Sequence, residues 1–332
     1  MAEDRYPQLL RTPESRWWRS LLGLLLAGVT LASATVAVIL GALLLDALTG
    51  SSPDPFSDES LDPDTPLGLL ANNLVIAMLV PAAVLAVVVV HRARPGVLAS
   101  VLGRPRWGLL WRSAVLAGCV VVVFFGAGFL LPSPEDAAEV TAPSTTTLAA
   151  LVAVILLTTP LQAAAEEIGF RGYLSQAVAA CFARPLVGTV VAGAVSAVLF
   201  ALAHGLQDAW LFGDRLAFGV VASWLAWRTG GLEAPVALHV ANNLVSLVYT
   251  AATGSLESAL TASTLPWQFA VLDVAMMTSF AAALHVLAGR WHVAVRRAEV
   301  PAVLSGPAAV GYPGPGPSTP RPAGNEHPWG MG

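Results

Sequence analysis

The sequence predicts an all-α, polytopic membrane protein with about eight transmembrane helices. Only 11% of its 332 residues are charged, whereas soluble domains average about 25%. Hydrophobic residues make up 56% of the chain, and they are gathered into long uncharged runs. A bilayer requires roughly 20 consecutive apolar residues for each helix that crosses it. The composition therefore excludes an ordinary soluble enzyme and favours a helical membrane bundle.

Eight apolar runs are long enough to form such helices. The first run is too long for the core of a signal peptide and lacks a clear small-residue cleavage site, so we expect it to remain in the protein. Charged side chains interrupt two runs, the sixth at Asp214 and Arg215 and the eighth at Asp273. In chain order the runs are 20–45, 65–91, 113–134, 140–165, 185–207, 209–227, 234–256 and 267–289.

The placement of arginine predicts the orientation of these helices. All 17 basic residues are arginine, and they recur after the second, fourth, sixth and eighth helices, whereas the intervening loops are acidic or neutral. Because cytoplasmic loops are enriched in basic residues, both termini are expected in the cytoplasm. Residues at the ends of the runs are expected to anchor the bundle at the membrane surface, namely Arg112, Trp17, Trp18, Trp107, Trp111 and Trp291.

Three segments of the chain differ in composition. Residues 1–19 form a polar, arginine-containing cytoplasmic segment, residues 20–298 form the transmembrane bundle, and residues 299–332 form a tail rich in proline and glycine. Such a tail cannot bury a core, so we predict that it is disordered in the cytoplasm. The arginine-only basic set and the bias toward small apolar residues suggest a high-GC coding sequence, which favours a bacterial cell membrane.

Ionisable side chains are costly inside membrane spans and are therefore candidates for function. Glu166, Glu167 and Arg171 lie at the end of the fourth uncharged run. On a helix, Glu167 and Arg171 are four residues apart with the acid first, which is the favourable order for an ion pair. Glu166 points about 100° away from that pair. One carboxylate is thus expected to be neutralised within its own helix, and the other is left available.

Two further polar motifs follow on later helices. Phe200 and His204 are four residues apart, as are His239 and Asn243, so each pair shares a helical face. If the chain reverses midway between Glu166 and His204, an antiparallel hairpin places these two residues at equal height. We expect His239, early in its helix, to reach the same site from the cytoplasmic half of the membrane.

These residues suit the attack of water on an amide. A carboxylate in a low-dielectric bundle is a competent base near neutral pH, so Glu166 and His204 are a candidate pair for activating water. His239 and Asn243 can donate hydrogen bonds to the oxyanion that forms on the carbonyl. One carboxylate and two imidazoles are also the ligand types of hydrolytic zinc sites. A divalent metal held by Glu166, His204 and His239 is therefore an open alternative.

The three motifs, in this order on successive helices, resemble the signature motifs of a known family. It is the CAAX-protease and bacteriocin-processing (CPBP or Abi) family of intramembrane endopeptidases, which includes the Ras-converting-type prenyl endopeptidases. The resemblance covers residues 147–253, about a third of the chain. The motifs are Glu166-Glu167-x-x-x-Arg171, Phe200-x-x-x-His204 and His239-x-x-x-Asn243.

The resemblance implies an α-helical membrane endopeptidase whose site opens to the cytoplasm. By position, Glu166 resembles the glutamate that activates water, with His204 as its partner. His239 and Asn243 resemble the pair that stabilises the oxyanion. The remaining motif residues are supporting ones, namely Glu167, Arg171 and Phe200. The implied partner is a membrane-associated protein or peptide, lipidated substrates included, together with the bilayer, and no nucleic acid is expected.

A non-catalytic membrane protein is the competing hypothesis. It would be a bacteriocin immunity or scaffold factor, or a small transporter. Transporters commonly show repeated halves and broken helices in matching positions, and the sequence displays neither. The chain also lacks the His-Glu-x-x-His motif of zinc proteases and any Gly-x-Ser-Gly nucleophile within a span. The observations favour a protease with a glutamate-dependent or metal-dependent mechanism.

Overall fold

The computed structural model describes residues 5–11, 15–50, 61–132 and 141–297, and this part of the chain is almost entirely helical. The predicted all-α, polytopic bundle is confirmed. The predicted tail, 299–332, lies outside the described residues. The helices are α1 (Trp17–Thr49), α2 (Pro66–Ala77), α3 (Leu79–Val89), α4 (Trp107–Gly128), α5 (Thr145–Glu167), a π-helical segment (Ile168–Leu174), α6 (Ser175–Ala179), α7 (Pro185–Leu202), α8 (Ala209–Thr229), α9 (Glu233–Thr253), α10 (Leu256–Leu260) and α11 (Trp267–Arg290).

Each of the eight predicted apolar runs contains a helix in the described part of the chain. Seven helices in the described part of the chain are long and apolar enough to cross a membrane, with α2–α3 and α5–α6 each counted as one. Helix α8, which carries Asp214 and Arg215, is not among them. It packs between α7 and α11 and also contacts α9. Seven helices therefore meet the length and apolarity requirement for crossing a membrane. Helix α8 does not meet it, and it lies among other helices of the bundle.

Local sequence explains where several helices begin and end. Thr65, Ser144 and Asp208 precede α2, α5 and α8, and each side chain accepts a hydrogen bond from the backbone N–H three residues later. Such caps satisfy backbone donors that a helix leaves unpaired in its first turn. Gly230 and Gly254 end α8 and α9 with φ values of 70° and 76°. This left-handed conformation strongly favours glycine.

The arginine-bearing loops meet at one end of the bundle, here called the arginine-rich end. Arg5, before α1, forms an antiparallel backbone bridge with Arg296, after α11. Ser100, between α3 and α4, forms a similar bridge with Gly231, between α8 and α9. The first and last described segments thus lie on the same side of the bundle.

Other loops meet at the opposite end, here called the acidic end. The backbone N–H of Glu257 donates to Asp64 Oδ1 at 2.7 Å, which joins the start of α10 to the loop before α2. The N–H of Asp208 donates to the carbonyl of Ser263 at 2.7 Å, which joins the start of α8 to the segment before α11. These contacts fix the loops that enter α2, α8 and α11.

Helices α5 and α9 form the inner pair of the bundle. α5 packs on α2 and α9, and α9 packs on α4 and α8 as well. Helices α7, α8 and α11 close the remaining side, with a buried cluster that includes Phe200, Phe218 and Phe280. Gly219 allows α8 to approach α7 closely, because a Cβ at this position would lie 2.7 Å from the Cα of Ala197. This packing surrounds the polar ends of α5 and α9.

Candidate active site

The two adjacent glutamates lie at the end of α5, in the centre of the bundle. Glu166 is 8% exposed and Glu167 is fully buried. Pro160 lies inside the same helix and lacks the N–H that would bond one turn back. Beyond Glu167 the helix widens into the π-helical segment and then continues as α6. The sequence gives no indication of the π-helical segment.

The ion pair predicted within this helix is present. Arg171 Nη1 lies 3.0 Å from Glu167 Oε1, and both side chains are buried. Aromatic rings enclose the guanidinium, whose Cζ lies 4.2 Å from the ring centroid of Phe200 and 5.5 Å from that of Phe218. Cations are attracted to the faces of aromatic rings, especially away from water. The charge of Arg171 is therefore balanced by Glu167 and held in place by two rings.

The π-helical segment itself is held from a neighbouring helix. Ser196 on α7 donates its hydroxyl to the carbonyl of Phe170 at 3.0 Å. A widened turn disturbs the regular hydrogen-bond ladder of a helix, and freed carbonyls need other partners. The serine supplies one such partner, and so α7 contributes to the shape of the segment that carries Arg171.

His239 lies between the two glutamates. Its Nδ1 is 2.9 Å from Glu167 Oε1, and its Nε2 is 3.2 Å from Glu166 Oε2. Since Arg171 already neutralises Glu167, the Nδ1–H of His239 donates to an ionised carboxylate, which fixes the orientation of the ring. Nε2 is then directed at Glu166. The imidazole joins the two carboxylates across α5 and α9.

The start of α9 is anchored firmly, which fixes the depth of His239. Glu233, in the first turn, accepts hydrogen bonds from both the backbone N–H and the Nε of Arg106, each at 2.8 Å. The same guanidinium donates to the carbonyls of Thr229 and Ala294, each at 2.9 Å. Arg106 thus ties together the loop before α4, the end of α8 and the segment after α11.

His204 lies just beyond α7, next to Phe200 of the preceding turn. Its Nδ1 donates to the carbonyl of Phe200 at 2.8 Å, and the two rings meet edge to face at 4.7 Å. Burial and the positive charge of Arg215 lower the pKa of His204 to about 4. Nε2 is left as an acceptor. The imidazole that lies against Glu166 is that of His239, with Nε2 3.2 Å from Oε2. The pairing of His204 with Glu166 through a water stays a prediction.

Asn243 lies one turn beyond His239 and faces α5. Its Nδ2 donates to Gln162 Oε1 at 3.3 Å. Gln162 is 7% exposed, lies one turn before Glu166 and also hydrogen-bonds that carboxylate. The Gln162 amide therefore connects the first glutamate with Asn243. The sequence prediction missed Gln162. The available signal was a polar amide inside an otherwise apolar run.

Residues 146–245 match the family described as Type II CAAX prenyl endopeptidase Rce1-like. This segment is an Rce1-like domain. It contains all three sequence motifs, and its family is a protease family. With the apolar helices around the domain, the chain is an integral, multi-pass membrane protein.

One curated relative matches part of this chain. It is the uncharacterized protein YyaK of Bacillus subtilis (strain 168), which is 33% identical over 87 residues. These residues are 26% of this chain and 29% of the relative, so the match spans less than a third of the relative's length. No solved structure matches this chain.

The residues of the Rce1-like domain do not fit a metal site in this arrangement. Both nitrogens of His239 face carboxylates, and His204 uses Nδ1 on the carbonyl of Phe200. Glu166, His204 and His239 do not bring their donor atoms into one sphere. Among the described residues, the group of three acidic or imidazole side chains that can each offer one ligand atom within 4.8 Å of the others lies at the acidic end, namely Asp62, Asp64 and Glu257. The arrangement supports acid–base chemistry.

Helix α8 adds two residues to the surroundings of the site. The ring of Phe218 lies 4.8 Å from that of His239, and Arg215, one turn earlier, acts electrostatically on Glu166 and His204. The sequence prediction treated Arg215 only as an interruption of an apolar run. The charge itself was the available signal, because an arginine inside such a run needs a polar neighbour.

Proposed function

We propose that this chain is an intramembrane endopeptidase of the CAAX-protease type, which hydrolyses a peptide bond in a membrane-associated protein or peptide. One observation carries the proposal: two buried carboxylates meet the two nitrogens of one histidine, and only one of the carboxylates is neutralised by an arginine. Glu167 thus pairs with Arg171 and orients the ring of His239. Glu166 is the group left to exchange protons.

The chemistry uses water and the residues of the domain. Glu166 removes a proton from water as the oxygen attacks the substrate carbonyl, and it returns that proton to the leaving amine as the C–N bond breaks. The acceptor Nε2 of His204 orients the water. Aromatic and aliphatic side chains exclude bulk solvent, which strengthens each electrostatic interaction.

The oxyanion is stabilised from α9. In this mechanism His239 is doubly protonated, with Nδ1–H donating to Glu167 and Nε2–H directed at Glu166. When Glu166 takes up the proton from water, it accepts less strongly from the Nε2–H, and this N–H is then shared with the developing oxyanion. The second N–H of the Asn243 amide donates to the same oxygen, because the first is directed at Gln162. Removal of one such donor typically costs about 100- to 1,000-fold in rate.

A substrate-trapping experiment tests this function. The wild-type protein and the Glu166→Gln variant are reconstituted in vesicles with membrane proteins and with a farnesylated C-terminal peptide, and new termini are identified by mass spectrometry. Cleavage products are expected for the wild type, and intact captured substrate for Glu166→Gln and His204→Ala. Glu257→Gln, which removes an acid at the distant end of the bundle, is the matched control and should cleave normally.

Two outcomes contradict the proposal. Identical products from wild type and both site variants would show that these residues are not catalytic, and an absence of products from the wild type would favour an immunity or scaffold role. Stoichiometric zinc in the purified protein, lost together with activity on chelation, would replace the acid–base mechanism with a metal-dependent one. We expect chelation to leave the rate unchanged.

A further inference from the structure

A cavity of about 510 Å³ opens at the arginine-rich end of the bundle, away from the protease site. It lies between the loop before α4, the first turns of α4 and the segment that follows α11. This volume is within the usual range of small-ligand sites, roughly 300–1,000 Å³. The cavity uses none of the residues that surround Glu166 and His239.

The cavity carries net positive charge. Arg104, Arg106 and Arg112 line it, and no acidic residue does. Arg106 is neutralised by Glu233 and donates to two backbone carbonyls. Its role in the cavity is therefore structural, because its charge and its donors already have partners. Arg104 and Arg112 are exposed, and no acidic partner within 4 Å is present for either in the described part of the chain. Two arginines are thus available to an anion.

Aromatic side chains place the cavity at the level of the membrane surface. The guanidinium of Arg112 lies 5.6 Å from the ring centroid of Trp291, which lines the cavity. Trp107 and Trp111, on one face of α4, are 64% and 69% exposed. Exposed tryptophans beside arginines are typical of the boundary between acyl chains and headgroups. A ligand here has polar and apolar surroundings at once.

The backbone around the cavity also favours an anion. Helix α4 has 22 residues and begins at Trp107, within the cavity wall. The N-terminus of a helix carries partial positive charge and backbone donors. His292, on the opposite wall, has a φ of 49°, a conformation that costs free energy for a residue other than glycine. The fold maintains this conformation beside two unpaired arginines.

We propose that this cavity binds the phosphate of an anionic phospholipid headgroup, with the acyl chains lying along the exposed tryptophans of α4. Basic pockets between transmembrane helices are known to hold anionic headgroups. The arginines supply the charge, the start of α4 supplies backbone donors, and the two tryptophans supply the apolar flank. The site is independent of the protease chemistry.

Native mass spectrometry of the full-length protein in detergent tests the proposal. Phosphatidylglycerol and phosphatidylcholine of equal chain length are titrated separately, and bound lipids are counted. Phosphatidylglycerol is expected to bind at least tenfold more tightly. The double substitution Arg104→Gln/Arg112→Gln should weaken its binding by roughly 25-fold, about fivefold for each arginine near an anionic headgroup. Arg94→Gln, an exposed arginine of the same end outside the cavity, should leave binding unchanged.

Two further arms separate lipid binding from other causes. Arg104→Lys/Arg112→Lys should restore most of the binding, which a purely structural role of these arginines would not predict. Inorganic phosphate should displace the lipid no better than chloride at equal ionic strength. The proposal would be overturned if both lipids bound equally tightly, or if Arg94→Gln weakened binding as much as the double substitution. It would also be overturned if inorganic phosphate displaced the lipid where chloride did not. Thermal unfolding of each variant confirms that it is folded.

Discussion

Two helices of similar length and apolarity have opposite positions in the bundle. Helix α1 has 33 residues, and the continuous helix from α5 to α6 has 35. In their most apolar stretches, 6% of the α1 residues are buried, compared with 33% in the α5–α6 helix. The inner helix carries the ion pair of Glu167 with Arg171, and its Gln162, Glu166 and Glu167 contact His239 and Asn243 of α9. Apolarity places a helix in the membrane, and paired polar groups distinguish the inner helix.

The largest effect on stability is expected at the buried ion pair. Glu167→Ala leaves Arg171 charged and unpaired, which costs about 3–5 kcal/mol when one partner of a buried pair is removed. His239 loses its orienting acceptor as well. The free energy of unfolding, measured by SDS titration, should fall accordingly. Val29→Ala on α1, where the side chain is 65% exposed, is the matched control. An equal loss of stability in this variant would contradict the claim that the buried ion pair of the inner helix stabilises the fold.

A smaller effect, on catalysis, is expected at Gln162. Gln162→Met keeps the shape of the side chain but removes the amide that connects Glu166 with Asn243. Misplacement of catalytic groups typically costs up to about 100-fold in rate. We expect kcat to fall by roughly 10- to 100-fold with little change in KM. If packing alone mattered, Gln162→Met would retain the wild-type kcat and only Gln162→Ala would lose it.

The close contact between α7 and α8 predicts an effect on packing. Gly219→Ala would place a Cβ 2.7 Å from the backbone of Ala197, so the helices must separate, at a cost of about 1–3 kcal/mol. Gly41→Ala on α1 meets no atom within 4 Å and should be neutral or slightly stabilising, because alanine favours helix. Unfolding free energies of the two variants measure the difference.

The smallest effect concerns pH. The pKa of His204 is lowered to about 4 from its ordinary value of 6.5, so between these values the unfolded chain binds more protons than the folded one. Stability from this residue is therefore present above pH 6.5 and is lost as pH falls toward 4. His204→Asn should flatten the fall of the unfolding free energy over this range. An unchanged slope would contradict the burial of a neutral imidazole.

The sequence predicted the helices and the central ion pair because both depend on local spacing. Apolar runs gave all eight helices, and the four-residue spacing gave the pair of Glu167 with Arg171. The π-helical segment was missed, since it depends on the contact between Ser196 and Phe170 on different helices. Gln162 was missed because an uncharged amide does not interrupt an apolar run. His239 was placed at the site, but its two carboxylate partners required the packing of α9 on α5.

The central claim is that the two adjacent glutamates have different roles. The most direct test measures cleavage rate and unfolding free energy for Glu166→Gln and Glu167→Gln side by side. For Glu166→Gln we expect the rate to fall by roughly 10²- to 10⁴-fold, the usual worth of a proton-transfer group, with the unfolding free energy nearly unchanged. For Glu167→Gln we expect a marked loss of stability. Wild-type cleavage by Glu166→Gln, or equal destabilisation by both substitutions, would contradict the claim.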